Sequence, residues 1–459
     1  MKKIFVLLII MLGGFILIGC EQNNEPPVID GELNASELAV INEEYKRSFD
    51  FFWETTNHTD GSAGYGLARD RYPGNPTIAS IGAVGFALSA YIVGVEEGWI
   101  SFEEGFERTD KTMDTLLSLQ RVNGFYYHWI NMQTGLREWQ SEVSIIDTAL
   151  MLMGGLAAGE YFGGTVKEKI TDIYRAVDWP WYLNPNNNLF YMGYKPETGF
   201  SGAWDHMAEQ LMVYVLASGS PTHSVSKAPY SIIMTIQNAQ YKGTYTSTTN
   251  PELSVTTPFY YSYNGSLFQH QFSQGFLDLR QKVDENGVNW FENGRLATLA
   301  NYAYTQDVSH LYKTYGKYSW GLSAADGPGE YNAYGGKPAK NNTHNGTIAP
   351  YAAMASINYA PKLVGKTAVH FFSEINGLVG QYGFKDSFNL GPVNPEQFPN
   401  IAAKTPWVAS DYIGIDKGIT LIMIANYKDA IIWDEVMKND YIKAGLTVLG
   451  FTTQTTQES

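Results

Sequence analysis

The sequence predicts an all-α protein in which about twelve helices form two concentric rings of six, an (α/α)6 barrel. Three observations point there. Apolar residues recur at helical spacing over about 36–56, 77–96, 102–120, 142–162, 165–178 and 204–218, and again over about 222–240, 267–284, 290–314, 347–357, 361–375 and 416–434. Strand-like alternation is scarce, and no strand–helix–strand rhythm runs through the chain. Several segments are apolar on more than one face, notably Thr77 to Val95 and Ile145 to Ala158. A helix that is apolar all round is buried inside a large body.

Each element has a local rationale. Gly82, Gly85, Gly154 and Gly155 lie in the two most apolar helices and let neighbouring helices approach closely. The Thr-, Ser- and Tyr-rich stretch 241–263 is the main exception to the helical pattern and predicts small hairpins. Long Gly- and Asn-rich loops between the helices gather at the barrel ends, where they can build a cleft. No charge run or composition break divides residues 40–451, so one catalytic domain is expected over 38–459. The absence of a close internal repeat argues against a solenoid.

A leader precedes this domain. Lys2 and Lys3 open an apolar run from Ile4 to Ile18 that ends in Gly19-Cys20. The run is short for a spanning helix, which needs ~20 residues. A small residue before a cysteine resembles a bacterial lipoprotein cleavage site, which makes Cys20 the lipidated first residue of an exported, membrane-anchored chain on the periplasmic side or cell surface. Cys20 is the only cysteine, so no disulfide can form within the chain. Residues 21–37 are polar, contain Pro26-Pro27, and read as a flexible tether.

Charge narrows the ligand. The chain carries 31 Lys and Arg against 46 Asp and Glu, and loss of Lys2 and Lys3 with the leader makes it more acidic still. Such a surface repels nucleic acid and polyanionic glycans. A neutral oligo- or polysaccharide fits better, because 31 Tyr and 11 Trp supply flat apolar faces with polar tips for sugar rings. No HExxH, metal-spaced His/Cys cluster, phosphate loop or G-x-S-x-G elbow is present, so no metal or cofactor is expected. A monomer is the expected state.

Four constellations carry candidate chemistry. Ser141-Glu142-Val143-Ser144-Ile145-Ile146-Asp147 follows a loop with Trp129 and Trp139. Ser141 reads as an N-cap that puts Glu142 in the first helical turn, and Asp147 lies in an apolar stretch where an unpaired carboxylate is costly. In Trp204-Asp205-His206-Met207-Ala208-Glu209 the two acids stand four apart, so they share a helix face. Their repulsion, with burial, is a route to a raised carboxyl pKa. The Gly/Pro-punctuated loop from Trp320 to Tyr331 carries Asp326 and Glu330, and His344 follows. Gly414-Ile415-Asp416-Lys417-Gly418 opens the last long helix with Asp416 at an N-cap position, and Asp386 is its competitor.

Together with Tyr65-Gly66-Leu67-Ala68-Arg69-Asp70-Arg71 and Gly346 to Ala353, these segments resemble the bacterial glucoamylase-like (glycoamylase) domain family, which includes endo-β-1,2-glucanases and resembles part of cyclic β-1,2-glucan synthases. The resemblance spans nearly all of 40–450 and rests on the order and spacing of the segments. It implies an (α/α)6 barrel and inverting hydrolysis of a glucan, with β-1,2-glucan or its oligosaccharides as substrate. It implies Glu209 as general acid, Glu142 and Asp147 near the cleaved bond, and Asp416 as base. Arg69, Asp70, Trp129, Trp139, Trp204, Asp205, Trp320, Asp326, Glu330, Tyr331 and His344 are the expected substrate contacts. Gln210 and Met212 stand where the family helices carry more aromatics, and Lys417 where a Gln is expected, which opens the linkage to variation. Alternatives are a non-catalytic surface glycan-binding lipoprotein, a hydrolase of another glucan linkage, and a polysaccharide lyase, against which the acidic balance counts.

Overall fold

The computed structural model describes residues 27–454. The leader, Cys20 and the first part of the tether lie outside the described residues. Each of the twelve expected helical segments contains a helix.

Six helices form the outer ring and are buried on one face: α1 (Ala35–Thr55), α3 (Phe102–Ser118), α5 (Gly164–Arg175), α7 (Ala228–Gln240), α9 (Trp290–Asp307) and α11 (Pro361–Glu374). Between them alternate the inner helices α2 (Ile81–Glu96), α4 (Ile145–Phe162), α6 (Leu211–Gly219), α8 (Phe268–Phe276), α10 (Pro350–Met354) and α13 (Gly414–Asp429). Every residue of α6 and α10 is buried, as is α2 from Ile81 to Gly94, which is what their all-round apolar composition demands. The helix α4 is long and apolar enough to cross a membrane, but most of it is buried within the barrel.

The inner ring closes in chain order. The helix α2 packs on α4, α4 on α6, α10 on α13, and α13 back on α2. Ser273 of α8 donates to the carbonyl of Glu209 just ahead of α6 at 2.5 Å, and Gln271 of α8 reaches the carbonyl of Ala352 on α10 at 2.8 Å. The tightest crossing joins α2 to α4: a Cβ on Gly154 would stand 1.9 Å from the carbonyl oxygen of Gly85. A short α12 (Pro399–Ala402) precedes α13, and α14 (Ile431–Lys438) and α15 (Asp440–Val448) follow it.

The differences from expectation concentrate at the N-termini of the inner helices. The segment expected from 77 starts at Ile81, because Ile78–Ser80 is a strand paired with Trp129–Asn131. The segment expected from 142 starts at Ile145, because Val143–Ser144 joins a three-stranded sheet with Gly193–Lys195 and Gly199–Ser201. The segment expected from 204 starts only at Leu211. Short buried strands carry apolar residues as helices do, so periodicity merged them with the helix that follows. The hairpin expected within 241–263 is present, Lys242–Tyr245 against Val255–Tyr260. At the C-terminal end Ala430, in a left-handed conformation, separates α13 from α14.

The chain docks earlier than the tether expected through residue 37. Asn34 caps α1 in a reciprocal box with Glu37, Lys362 pairs with Glu37 at 2.7 Å, and the carbonyl of Ile29 accepts from the amide of Lys362 at 3.0 Å.

Candidate active site

The N-termini of the inner helices converge at one end of the barrel and bring carboxyl groups with them. Asp147 is the third residue of α4. Ser144 is the true cap, accepting from the Asp147 amide at 3.1 Å and donating to its Oδ2 at 2.6 Å. Glu142 therefore lies ahead of the helix rather than in its first turn. Gly82 at the start of α2 makes room for Asp147, since a Cβ there would stand 2.6 Å from Asp147 Oδ1. Between the two acids sits His128, with Nδ1 2.8 Å from Glu142 Oε1 and Nε2 3.7 Å from Asp147 Oδ2. Burial opposes the His128 charge, but Asp147, Glu142 and Asp70 outweigh it and lift its pKa to about 9. The hydrogen bond from His128 in turn holds the Glu142 carboxyl below its ordinary range. The imidazole stacks on Trp129 at 3.9 Å, and Trp129 Nε1 points to Asp70 Oδ1 at 3.4 Å.

Glu209 occupies the next position round the ring, two residues ahead of α6. Its Oε2 is closed off without a hydrogen-bond partner among the described residues, although the side chain as a whole keeps some exposure. Burial pushes its pKa up to about 7, Asp147 adds to the rise, and its own amide and Gln269 offset only part of it. A carboxyl so placed stays protonated close to neutral pH.

The third group stands three places away, at α13. Asp416 is the third residue of that helix and is buried. The helix starts at Gly414 without a side-chain cap, so the expected capping role is not what holds Asp416. Its carboxyl interacts electrostatically with that of Asp386. Burial and mutual repulsion raise Asp416, and burial with the charge of Asp326 lifts Asp386 to about 7. Two adjacent acids in one pocket share a proton in this way, and their titration belongs to the pair. Asp386 Oδ2 accepts from the Asp326 amide at 2.7 Å, and Arg71 bridges Asp326 at 3.0 Å and Asp411 at 3.1 Å. Behind this pair Lys417 forms a buried ion pair with Glu44, which also accepts from the Phe384 amide at 2.7 Å. Lys417→Met should leave Glu44 without its cation and cost about 3–5 kcal/mol, read as a fall in the urea midpoint. An unchanged midpoint would show that the pair contributes nothing to holding α13 against α1.

A buried carboxyl poised near neutral pH on one side of the ring, a proton-sharing acid pair on the other, and exposed aromatic side chains at the rim form a site for acid–base chemistry on an uncharged ligand. The Glycoamylase family model matches residues 201–440, the stretch that runs from the Glu209 loop through α13. The chain belongs to that family. An exo β-1,2-glucooligosaccharide sophorohydrolase (non-reducing end) of Parabacteroides distasonis is 25% identical over 456 residues, covering 93% of this chain and 60% of the relative. This chain thus spans about 60% of that relative's length. The endo-β-1,2-glucanase of Chitinophaga pinensis, in complex with sophorotriose and glucose, superposes with a TM-score of 0.75 at 27% identity over 92% of this chain and 99% of the other. A β-1,2-glucanase structure from P. distasonis gives 0.75 at 25% identity over 90% and 60%.

For this glycoamylase-family chain, the expected contacts divide. Asp70, Trp129, Asp326 and Tyr331 join the acid cluster. Tyr331 keeps 50% of its surface exposed, while burial of its hydroxyl among Asp416, Asp386, Asp326 and Asp70 raises its pKa well above the usual range. Trp139 is 53% exposed and meets Trp129 edge-on at 5.4 Å. Trp139 and Gln140 are consecutive residues with positive φ, a strained turn that holds the indole at the rim. Glu330 lies on an exposed turn.

Two of the expected contacts are closed off. Trp204 and Trp320 are buried in the core, and Trp320 Nε1 donates to Thr367 at 2.8 Å, so neither is a platform for sugar. Arg69 stacks on Tyr72 and donates to the carbonyls of Pro73 and Gly74. His344 is caged by Tyr304, Tyr312 and Tyr315, and burial lowers its pKa to about 4. Asp205 is exposed beside His206 in a loop, so the shared helix face with Glu209 does not exist. His128, Arg71, Asp411 and Gln269 complete the site, and nothing in their local sequence distinguishes them.

Proposed function

We propose that this protein is an inverting glycoside hydrolase acting on β-1,2-glucan or its oligosaccharides, with Glu209 as the general acid. The observation that carries this reading is the Glu209 carboxyl, whose Oε2 is buried and unpartnered and whose pKa is raised to about 7. Glu209 donates its proton to the leaving glycosidic oxygen. The ionised member of the Asp386–Asp416 pair takes a proton from the water that attacks the anomeric carbon from the opposite side. Inversion needs two carboxyl groups ~6.5–9.5 Å apart with water and sugar between them. Positions three apart in a ring of six favour such an opposition. His128 with Glu142 and Asp147 fixes the electrostatic surroundings of Glu209, and Trp129 and Trp139 offer stacking faces. The linkage is supported by the activities named for the Parabacteroides and Chitinophaga relatives. Product analysis on linear β-1,2-glucan and on starch tests it: short glucosides are expected from the first alone. Release from starch alone would replace the linkage, and release from neither would defeat the hydrolase reading.

The reading includes export and lipidation at Cys20. Cys20→Ser should move the protein from the membrane fraction to the soluble fraction with its activity per molecule unchanged. Retention in the membrane would reject the anchor.

A further inference from the structure

We propose that the end of the barrel opposite the acid cluster faces the lipid bilayer, so that the cleft opens away from the membrane that holds the chain. The proposal rests on the reading that Cys20 is lipidated, and adds an orientation to it. The direction of the outer helices tells the two ends apart. The chain leaves the C-terminal end of α1 for Asp70 and Arg71, that of α3 for Trp129 and Glu142, that of α9 for Asp326, and that of α11 for Asp386, all members of the site. The N-terminal ends of these helices therefore lie at the far end of the barrel. At the site end of α1, Tyr382 donates to Glu54 in the last helical turn at 2.9 Å and meets Tyr72 and Tyr412 edge-on at 5.2 and 5.5 Å, beside Arg71. At the other end, Tyr427 in the last turn of the inner helix α13 interacts electrostatically with Glu32, Glu37 and Lys362.

Residues 28–34 are strapped across that far end. Helix α11 starts at Pro361 without a side-chain cap, and the carbonyl of Ile29 takes two of its free amides, those of Lys362 at 3.0 Å and Leu363 at 3.3 Å. Lys362 Nζ donates to the carbonyl of Glu32 at 3.1 Å as well as pairing with Glu37. Asp30 pairs with Arg295, in the N-terminal part of α9, at 3.0 Å. Leu33 is buried against Gly365, where a Cβ would stand 2.5 Å from its Cδ2. The strap fixes the point at which an anchor meets the globular body. From Cys20 to Val28 the backbone can reach at most ~28 Å, at ~3.5 Å for each residue. Helix α1 alone, 21 residues long, runs ~31 Å from the strap to the site end. A cleft pressed to the bilayer would hold the strap the length of α1 and of the rim loops above the surface, farther than that stretch can span. The strap end therefore meets the bilayer, and the glucan enters from the aqueous side rather than from the membrane that carries the enzyme.

The test uses the full-length lipoprotein in vesicles of phosphatidylethanolamine and phosphatidylglycerol that carry an acceptor dye on a lipid headgroup. Cys20 is the only natural cysteine and lipidation occupies it, so a donor dye goes to one introduced thiol. Glu103→Cys places it at the start of α3, on the far end, and Leu136→Cys places it on the loop that carries Trp139; both positions are exposed. Energy transfer to the bilayer should be several-fold stronger from position 103 than from position 136. Equal transfer, or stronger transfer from position 136, would overturn the orientation while leaving the anchor in place. Failure of the wild-type lipoprotein to enter the vesicles would remove the anchor reading, and the orientation with it. If Glu103→Cys melts early, Glu168→Cys near the start of α5 offers an exposed position on the same end with the same expected result.

Discussion

Glu209→Gln should abolish reducing-sugar release while leaving glucan affinity within a few-fold of the wild type. The amide keeps the shape of the side chain and cannot deliver a proton, so the expected loss in kcat is about 10²–10⁴-fold. The wild type should lose activity as pH rises through about 7, where Glu209 gives up its proton. It should also lose activity as pH falls and the Asp386–Asp416 pair gains its second proton. Stability follows the same group with a definite sign. The folded pKa of Glu209 lies above the unfolded value, so its contribution is full below the ordinary glutamate pKa and fades as pH climbs through about 7. Glu209→Gln should therefore be the more stable protein above neutral pH, by at most about 3 kcal/mol because the side chain is not wholly shut from solvent. Urea midpoints at several pH values read this directly. Near-normal turnover in the variant, or a stability difference of the opposite sign, would remove Glu209 from the acid role.

The second large effect lies below the site. Gly154→Ala puts a Cβ 1.9 Å from the backbone oxygen of Gly85, where no side-chain rotation can relieve the overlap. Its neighbour makes an internal control: a Cβ on Gly155 meets side chains rather than backbone, Ile170 Cδ1 at 2.5 Å and Cγ1 at 3.0 Å, and that side chain can turn. Overpacking costs ~1–3 kcal/mol and sometimes more. Gly154→Ala belongs at the top of that range or beyond, and Gly155→Ala well below it. The first variant should also lose activity in its surviving folded fraction. Parting α2 from α4 moves Asp147 away from Gly82, His128 and Glu209 together. Equal urea midpoints for the two variants would show that α2 and α4 are not locked by backbone contact.

Much of the architecture was legible because burial imposes a period on the chain. Each of the twelve segments expected from apolar spacing contains a helix, and the two that read as apolar all round, α2 and α4, belong to the inner ring. Helix starts were less legible where short strands precede them, as at Val143–Ser144. Glu209 shows how a raised carboxyl pKa can be expected for a mistaken reason. The proximity of Asp205 suggested its raised pKa, yet Asp205 points to solvent and pairs with His206, and the repelling neighbour is Asp147.

The sequence alone determined that this protein is an acidic, aromatic-rich, mostly helical body with carboxylates set at the starts of buried helices. Those properties reside in composition and in spacing along a single element. Tertiary structure alone decided which acids meet: Glu142 and Asp147 across His128, and Asp416 with Asp386 under Asp326 and Arg71. It also decided that Trp139 faces outward while Trp204 and Trp320 fill the core. The physical reason is that a carboxyl pKa and the exposure of an indole are set by neighbours through space. Closing a ring of six helices is what makes residues as distant as Arg71 and Asp411 into neighbours.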